Sequence, residues 1–135
     1  MLTGIHPLLT GELLLHLDAM GHADAVVIAD AHFPAAALGD RVVTLPGSSA
    51  TDVLAAVRTV IPLNEAPALD VMLVPEGTLP VQRELAEAAG LALESARILD
   101  RAEFYATAGR AYLIIRTGEL RPYGNAILRK GLVGA

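Results

Sequence analysis

Ala25-Val26-Val27-Ile28-Ala29 is an unbroken apolar run of β-branched character, and Asp30 follows it at once. A run of this length without polar alternation reads as a strand covered on both faces, as in sheets flanked by helices. Upstream, Leu13, Leu14, Leu17 and Met20 recur at helical spacing. They predict a helix over 10–21, with Thr10 as N-cap, Glu12 in the positive first turn and Gly21 at the C′ position. Downstream, Val42–Leu45 reads as a strand. Pro46-Gly47-Ser48-Ser49 is a turn, and Ser49 with Asp52 resembles a capping box. Val53, Leu54, Val57, Val60 and Ile61 form one helix face, stopped by Pro62.

The same pattern continues to the end of the chain. Leu69–Val74 reads as a strand, and Pro80–Ala89 as a helix with Pro80 near N1 and Gly90 as its stop. Arg97–Leu99 is a short strand, 101–108 a helix carrying Phe104 and Tyr105, 111–117 a strong strand and 126–128 the last one. Helices alternating with buried strands predict an α/β fold: a three-layer α/β/α sandwich around a mostly parallel or mixed sheet. The length of 135 residues suits one domain with one core, spanning 1–135.

Composition narrows the function classes. The chain is 53% hydrophobic and 19% charged, too apolar for disorder. Two readings of that excess stay open: subunit interfaces that resemble a core cut open, or an alanine-rich but ordinary core. The net charge is −5 and Lys130 is the only lysine, so no basic stripe exists for nucleic acid. An acidic chain repels anionic substrates mildly and tolerates a neutral one such as a free sugar. There is no cysteine, which removes disulfides, thiolate catalysis and cysteine-based zinc sites. No positively charged n-region precedes the apolar stretch at 13–20, which is too short to span a bilayer. A cytoplasmic protein without membrane partners is the expectation.

Candidate chemistry sits at strand ends, where α/β sheets bind ligands. Asp30 is one such residue, although a loop-forming aspartate is its bland alternative. His22 follows a helix end whose negative pole favours imidazolium and suits a proton donor; capping of carbonyls is the alternative. His6, His16 and His32 weigh less. His16 and His22 lie six apart across a helix end, so no metal pair is expected. Tyr123-Gly124-Asn125 joins a hydroxyl to an amide with donor and acceptor edges, suited to a polyhydroxylated ligand or to a turn. Arg101 offers a forked donor, unless Asp100 or Glu103 engages it in a surface ion pair. Walker, Rossmann and nucleophile-elbow spacings are missing.

Taken in order, these segments resemble a known family. Pro7-Leu8-Leu9, Glu12-Leu13-Leu14, Met20-Gly21-His22-Ala23-Asp24 and Ile28-Ala29-Asp30-Ala31-His32-Phe33-Pro34-Ala35 are similar to the opening of the L-fucose mutarotase and D-ribose pyranase family. Arg101 with Phe104-Tyr105, then Thr117-Gly118-Glu119, then 123–131 complete the match, while 42–95 matches loosely. The resemblance implies an isomerase acting on free monosaccharides, working as a ring-shaped homo-oligomer, often a decamer, with no metal and no organic cofactor. By position, His22 resembles the family's catalytic proton donor. Asp30, Arg101, Tyr123, Gly124 and Asn125 resemble its sugar-binding residues. The motifs lean to the fucose branch, although Pro122 looks more like the ribose branch. A non-catalytic sugar-binding module on the same fold is the competing expectation.

One difficulty is visible already. Asp30 lies eight residues after His22. Across a strand at 3.3 Å per residue the two stand about 20 Å apart or more. One sugar could meet both only at an interface between neighbouring subunits, or if the chain bends.

Overall fold

The structure, a computed structural model, describes residues 1–134. Six strands form one sheet: β1 (Ala25–Ala29), β2 (Val42–Leu45), β3 (Leu69–Met72), β4 (Arg97–Leu99), β5 (Leu113–Thr117) and β6 (Ala126–Arg129). Their order is β2-β5-β1-β6-β3-β4. The pairs β1–β5, β2–β5 and β3–β4 are parallel, whereas β6 runs antiparallel to both β1 and β3. The sheet is therefore mixed, with one reversed strand at its centre. Helices α1 (Gly11–Ala19), α3 (Ala50–Arg58) and α4 (Pro80–Ala88) cover one face; α2 (Ala35–Leu38) and α5 (Arg101–Gly109) cover the other. This is the expected three-layer α/β/α arrangement.

The alternation of side chains along β1 makes both layers necessary. Val26 and Ile28 enter the core under α1, α3 and α4, and Val27 and Ala29 enter the core under α2 and α5. All four are fully buried, so an apolar residue is favoured at every position. Leu113 and Ile115 repeat the first set on β5, with Ile114 in the second.

One carboxylate is buried within the sheet. Asp70 on β3 is fully buried and accepts two bonds from Arg97 of β4, at 3.1 Å each, and one from Arg129 of β6 at 2.6 Å. A carboxylate out of water needs such partners, and two guanidinium groups satisfy it while tying the short edge strand to its neighbours.

Helix ends follow the predicted chemistry with small shifts. Thr10 and Ser49 accept bonds from Leu13 and Asp52 amides and cap α1 and α3, and Gly90 stops α4 at φ +76°. Helix α1 ends at Ala19, and Gly21 is not left-handed; Ala23, at φ +68°, makes the turn instead. Helix α3 closes at Arg58, four residues before Pro62, so Val60 and Ile61 pack as loop residues. Strand β3 ends at Met72 rather than Val74. The four-residue α2 had no periodicity long enough to read.

Candidate functional site

Strand β1 points its carboxyl end at a cavity of about 390 Å³, within the range of roughly 300–1,000 Å³ usual for small-molecule sites. Asp30, Arg101, Tyr123 and Asn125 all border it. The sheet brings these four together from three segments: the end of β1, the first turn of α5 and the connection between β5 and β6.

Asp30 and Asn125 form the floor, at 8% and 3% exposure. The Asn125 amide nitrogen donates to Asp30 Oδ2 at 2.9 Å, and its Oδ1 accepts the Asp30 backbone amide at 2.7 Å. The His32 amide donates to Asp30 Oδ1 at 2.9 Å. Both side chains are thus fixed before any ligand arrives, and each carboxylate oxygen keeps a further acceptor site. Asp30 is more than a loop-former, because only its coupling to Asn125, 95 residues away, explains the two reciprocal bonds.

Arg101 opens α5 from an exposed position. Asp100 spends its carboxylate on capping that helix, accepting from the Glu103 amide at 2.8 Å, and Arg101 makes no ion pair among the described residues. The surface-bridge alternative therefore falls away, and Arg101 borders the cavity without a side-chain hydrogen bond among the described residues.

Tyr123 takes φ +62°, a left-handed conformation uncommon for a bulky side chain and costing about 1–3 kcal/mol. Gly124 behind it is buried against the loop: a Cβ there would stand 2.8 Å from Glu119 Cγ and 3.1 Å from the Arg121 carbonyl. Gly124 thus shapes the wall without lining the cavity.

His22 is elsewhere. It precedes β1, at the opposite end of the strand, and borders a second cavity of about 460 Å³ with Pro62, Leu63, Asn64, Glu65, Gly131 and Leu132. The exposed ring makes one hydrogen bond, Nε2 to Asn64 Oδ1 at 3.2 Å. Within one chain the predicted proton donor and the predicted sugar ligands do not meet. The two border different cavities at opposite ends of β1.

The other lining residues were not singled out as ligands, although Phe33, Tyr105 and Pro122 stand in the segments that resemble the family. His32, weighted low, stands at the first cavity, and Phe33, Met72, Tyr105, Leu120 and Pro122 complete its wall. Met72 arrives from β3 two strands away, which only the sheet order reveals. Asn64 reaches His22 because its loop pairs with the end of β6, with the Asn64 amide donating to the Arg129 carbonyl at 2.9 Å. The His22 turn is anchored by the lone lysine: Lys130 Nζ donates to the Leu17 and Met20 carbonyls at the end of α1, at 2.7 and 2.8 Å.

A small cavity at the carboxyl end of a mixed α/β sheet, floored by a locked carboxylate–amide pair, has the form of a small-molecule site. Comparison with known proteins makes the assignment specific: residues 3–133 match the RbsD / FucU transport protein family, and the chain belongs to it. Among solved structures, it is 31% identical to a fucose mutarotase from Streptococcus pneumoniae bound to L-fucose, with a TM-score of 0.87 over 98% of this chain and 99% of that one. It is 35% identical to FucU from Bifidobacterium longum, TM-score 0.88, over 96% and 99% of the two chains. Bacillus subtilis RbsD complexed with D-ribose is more distant, at 25% identity and a TM-score of 0.75 over 95% and 97%. No helix among the described residues is long and apolar enough to cross a membrane.

Proposed function

We propose that the protein interconverts the anomers of a free monosaccharide, L-fucose before D-ribose, at sites shared between subunits of a homo-oligomer. The observation that carries this reading is the Asp30–Asn125 pair, held rigid on the floor of a sugar-sized cavity with Arg101 and Tyr123 beside it. Fixed donors and acceptors recognise hydroxyl groups without an ordering cost at binding.

Anomer exchange requires ring opening at C1. One group removes the proton of the anomeric hydroxyl while another delivers a proton to the ring oxygen. The aldehyde turns about its bond to C2, and the steps reverse. The net change is zero, so a group serving both directions works best with a pKa near ambient pH. Histidine, near 6.5 unperturbed, meets that requirement, and His22 is the proposed donor. No nucleophile is needed. His22 would enter the Asp30 cavity from a neighbouring subunit. Exposed Leu120 at the rim of one cavity and exposed Leu132 at the rim of the other are apolar surface that such an interface would cover.

The sugar preference has its own support. Phe33, Met72 and Leu120 give the cavity an apolar wall. A 6-deoxy sugar places a methyl group there, and D-ribose has none to offer. Burying one such group contributes about 0.8 kcal/mol. Saturation-transfer proton NMR at anomeric equilibrium tests the proposal, with L-fucose and D-ribose run in parallel. Enzyme-dependent exchange for L-fucose, faster than for D-ribose, is the expected result. Exchange for neither sugar by a folded oligomer that still binds one of them would instead identify a binding module.

A further inference from the structure

The connection between β5 and β6, residues 118–125, carries Tyr123 and Asn125 into the sugar cavity, and a charged clamp stands behind it. Arg121 lies at its middle. Its neighbours Leu120 and Pro122 line the cavity, but Arg121 itself does not. Its guanidinium turns to the other side and closes on two carboxylates. Nη1 and Nη2 donate to Glu84 of α4 at 2.6 and 3.1 Å; Nε and Nη2 donate to Glu119 at 3.0 and 3.1 Å. The Arg121 backbone amide adds a bond to Glu119 Oε2 at 3.3 Å.

Glu119 is the buried member, at 6% exposure. Its backbone reaches toward the cavity floor: the carbonyl accepts the Ala31 amide at 2.9 Å, and its amide donates to Thr117 Oγ1, which in turn donates to the Ala29 carbonyl. Gly124 packs directly on the Glu119 side chain. One end of this network is thus fastened to α4, and the other to the residues flanking Asp30. Between them sits Tyr123 in its left-handed conformation, which persists only where surrounding structure over-determines it.

The geometry points to Arg121 as a positioning residue, which with Glu119 and Glu84 holds the 118–125 connection in the one conformation that presents Tyr123 and Asn125 to the sugar. This rests on the sugar-binding reading of the cavity. A bidentate fork is what the task requires, because a lysine ammonium cannot span two carboxylates in fixed geometry. The carboxyls of Glu119 and Glu84 both lie below their ordinary range, held there chiefly by hydrogen bonds from Arg121, so the clamp is fully charged near neutrality.

Loss of the clamp lowers the fraction of chains with a competent loop, and apparent affinity falls by that same fraction, while saturating sugar restores the competent form. Arg121→Ala is therefore expected to raise KM for the exchanged sugar by roughly tenfold or more, with kcat within about threefold of the parent. Arg121→Lys should recover part of the loss, and Glu84→Gln, which weakens only the α4 arm, should give a smaller rise in KM. Hydrogen–deuterium exchange provides a readout independent of sugar: amides of 118–125 should exchange faster in R121A, while those of α1 keep the parent rate. If R121A does not fold, R121K and E84Q carry the same test. An unchanged loop exchange rate, an unchanged KM, or a fall in kcat at constant KM would overturn the inference. A parent protein that exchanges no sugar would instead sink the proposed function, and loop exchange would then decide the clamp by itself.

Discussion

The two ends of β1 are built on opposite principles. At the carboxyl end, Asp30 and Asn125 are buried and joined by reciprocal bonds, and a charged clamp braces the loop beside them. At the amino end, His22 is exposed, precedes the left-handed Ala23 and makes one hydrogen bond. Binding of a hydroxylated ligand gains from groups that need no ordering. A proton donor must change its bonding during the reaction, and a lightly held ring can do so. On the proposed function, recognition falls at one end and proton transfer at the other, and a second copy would unite them.

Breaking the amino end should have the largest effect. His22→Ala should lower the enzyme-dependent exchange rate by roughly 10²–10⁴-fold, the usual worth of general acid–base help, while calorimetry shows sugar binding retained. Unchanged exchange would remove His22 from the mechanism. Breaking the carboxyl end should do the converse. Asn125→Ala strips the Asp30 amide and carboxylate of buried partners, a loss of about 1–3 kcal/mol, and should weaken binding before it touches turnover. A binding constant equal to the parent's would show that the pair is structural only.

A smaller effect is expected where Lys130 holds the His22 turn. Lys130→Met removes a cation from the end of α1 and leaves the Leu17 and Met20 carbonyls without it. The loss is about 0.3–1 kcal/mol, seen as a modest drop in melting temperature, with exchange slowed more than binding is weakened. Equal losses in both would blur the division of labour. The smallest effect concerns acid. Glu84 and Glu119 have folded pKa values below the ordinary 4.5, through their bonds to Arg121, with burial opposing. A depressed carboxylate stabilises the fold above its unfolded value and loses that contribution as pH falls through the folded one. Melting temperatures of the parent and E84Q should run parallel from pH 7 to 5 and converge below pH 4.5. Divergence above pH 5 would assign the difference to other groups.

Much of this was legible in the residues. β1, β2 and β4 have the expected bounds, and for β1 the reason is that near-complete burial leaves no room for polar alternation. The α2 turn escaped because four residues show no period, and β3 was read two residues too long because the apolar 73–74 segment continues past the sheet. Asp30, Arg101, Tyr123 and Asn125 were found as polar residues at element ends. His22 and Asp30 were recognised as too far apart by counting residues along a strand. Met72, Asn64 and Glu84 were invisible because each reaches its partner through long-range packing that no local spacing encodes.

The central claim is that one site draws on two chains, and subunit mixing tests it most directly. His22→Ala and Asp30→Ala proteins, each inactive alone, would be dissociated, mixed in equal amounts and reassembled, with mixing verified by native mass spectrometry. At random assembly about a quarter of the interfaces receive an intact His22 from one chain and an intact Asp30 from its neighbour. The account predicts recovery of about a quarter of the parent exchange rate, on the same interface statistics. No recovery in oligomers shown to contain both variants would contradict it.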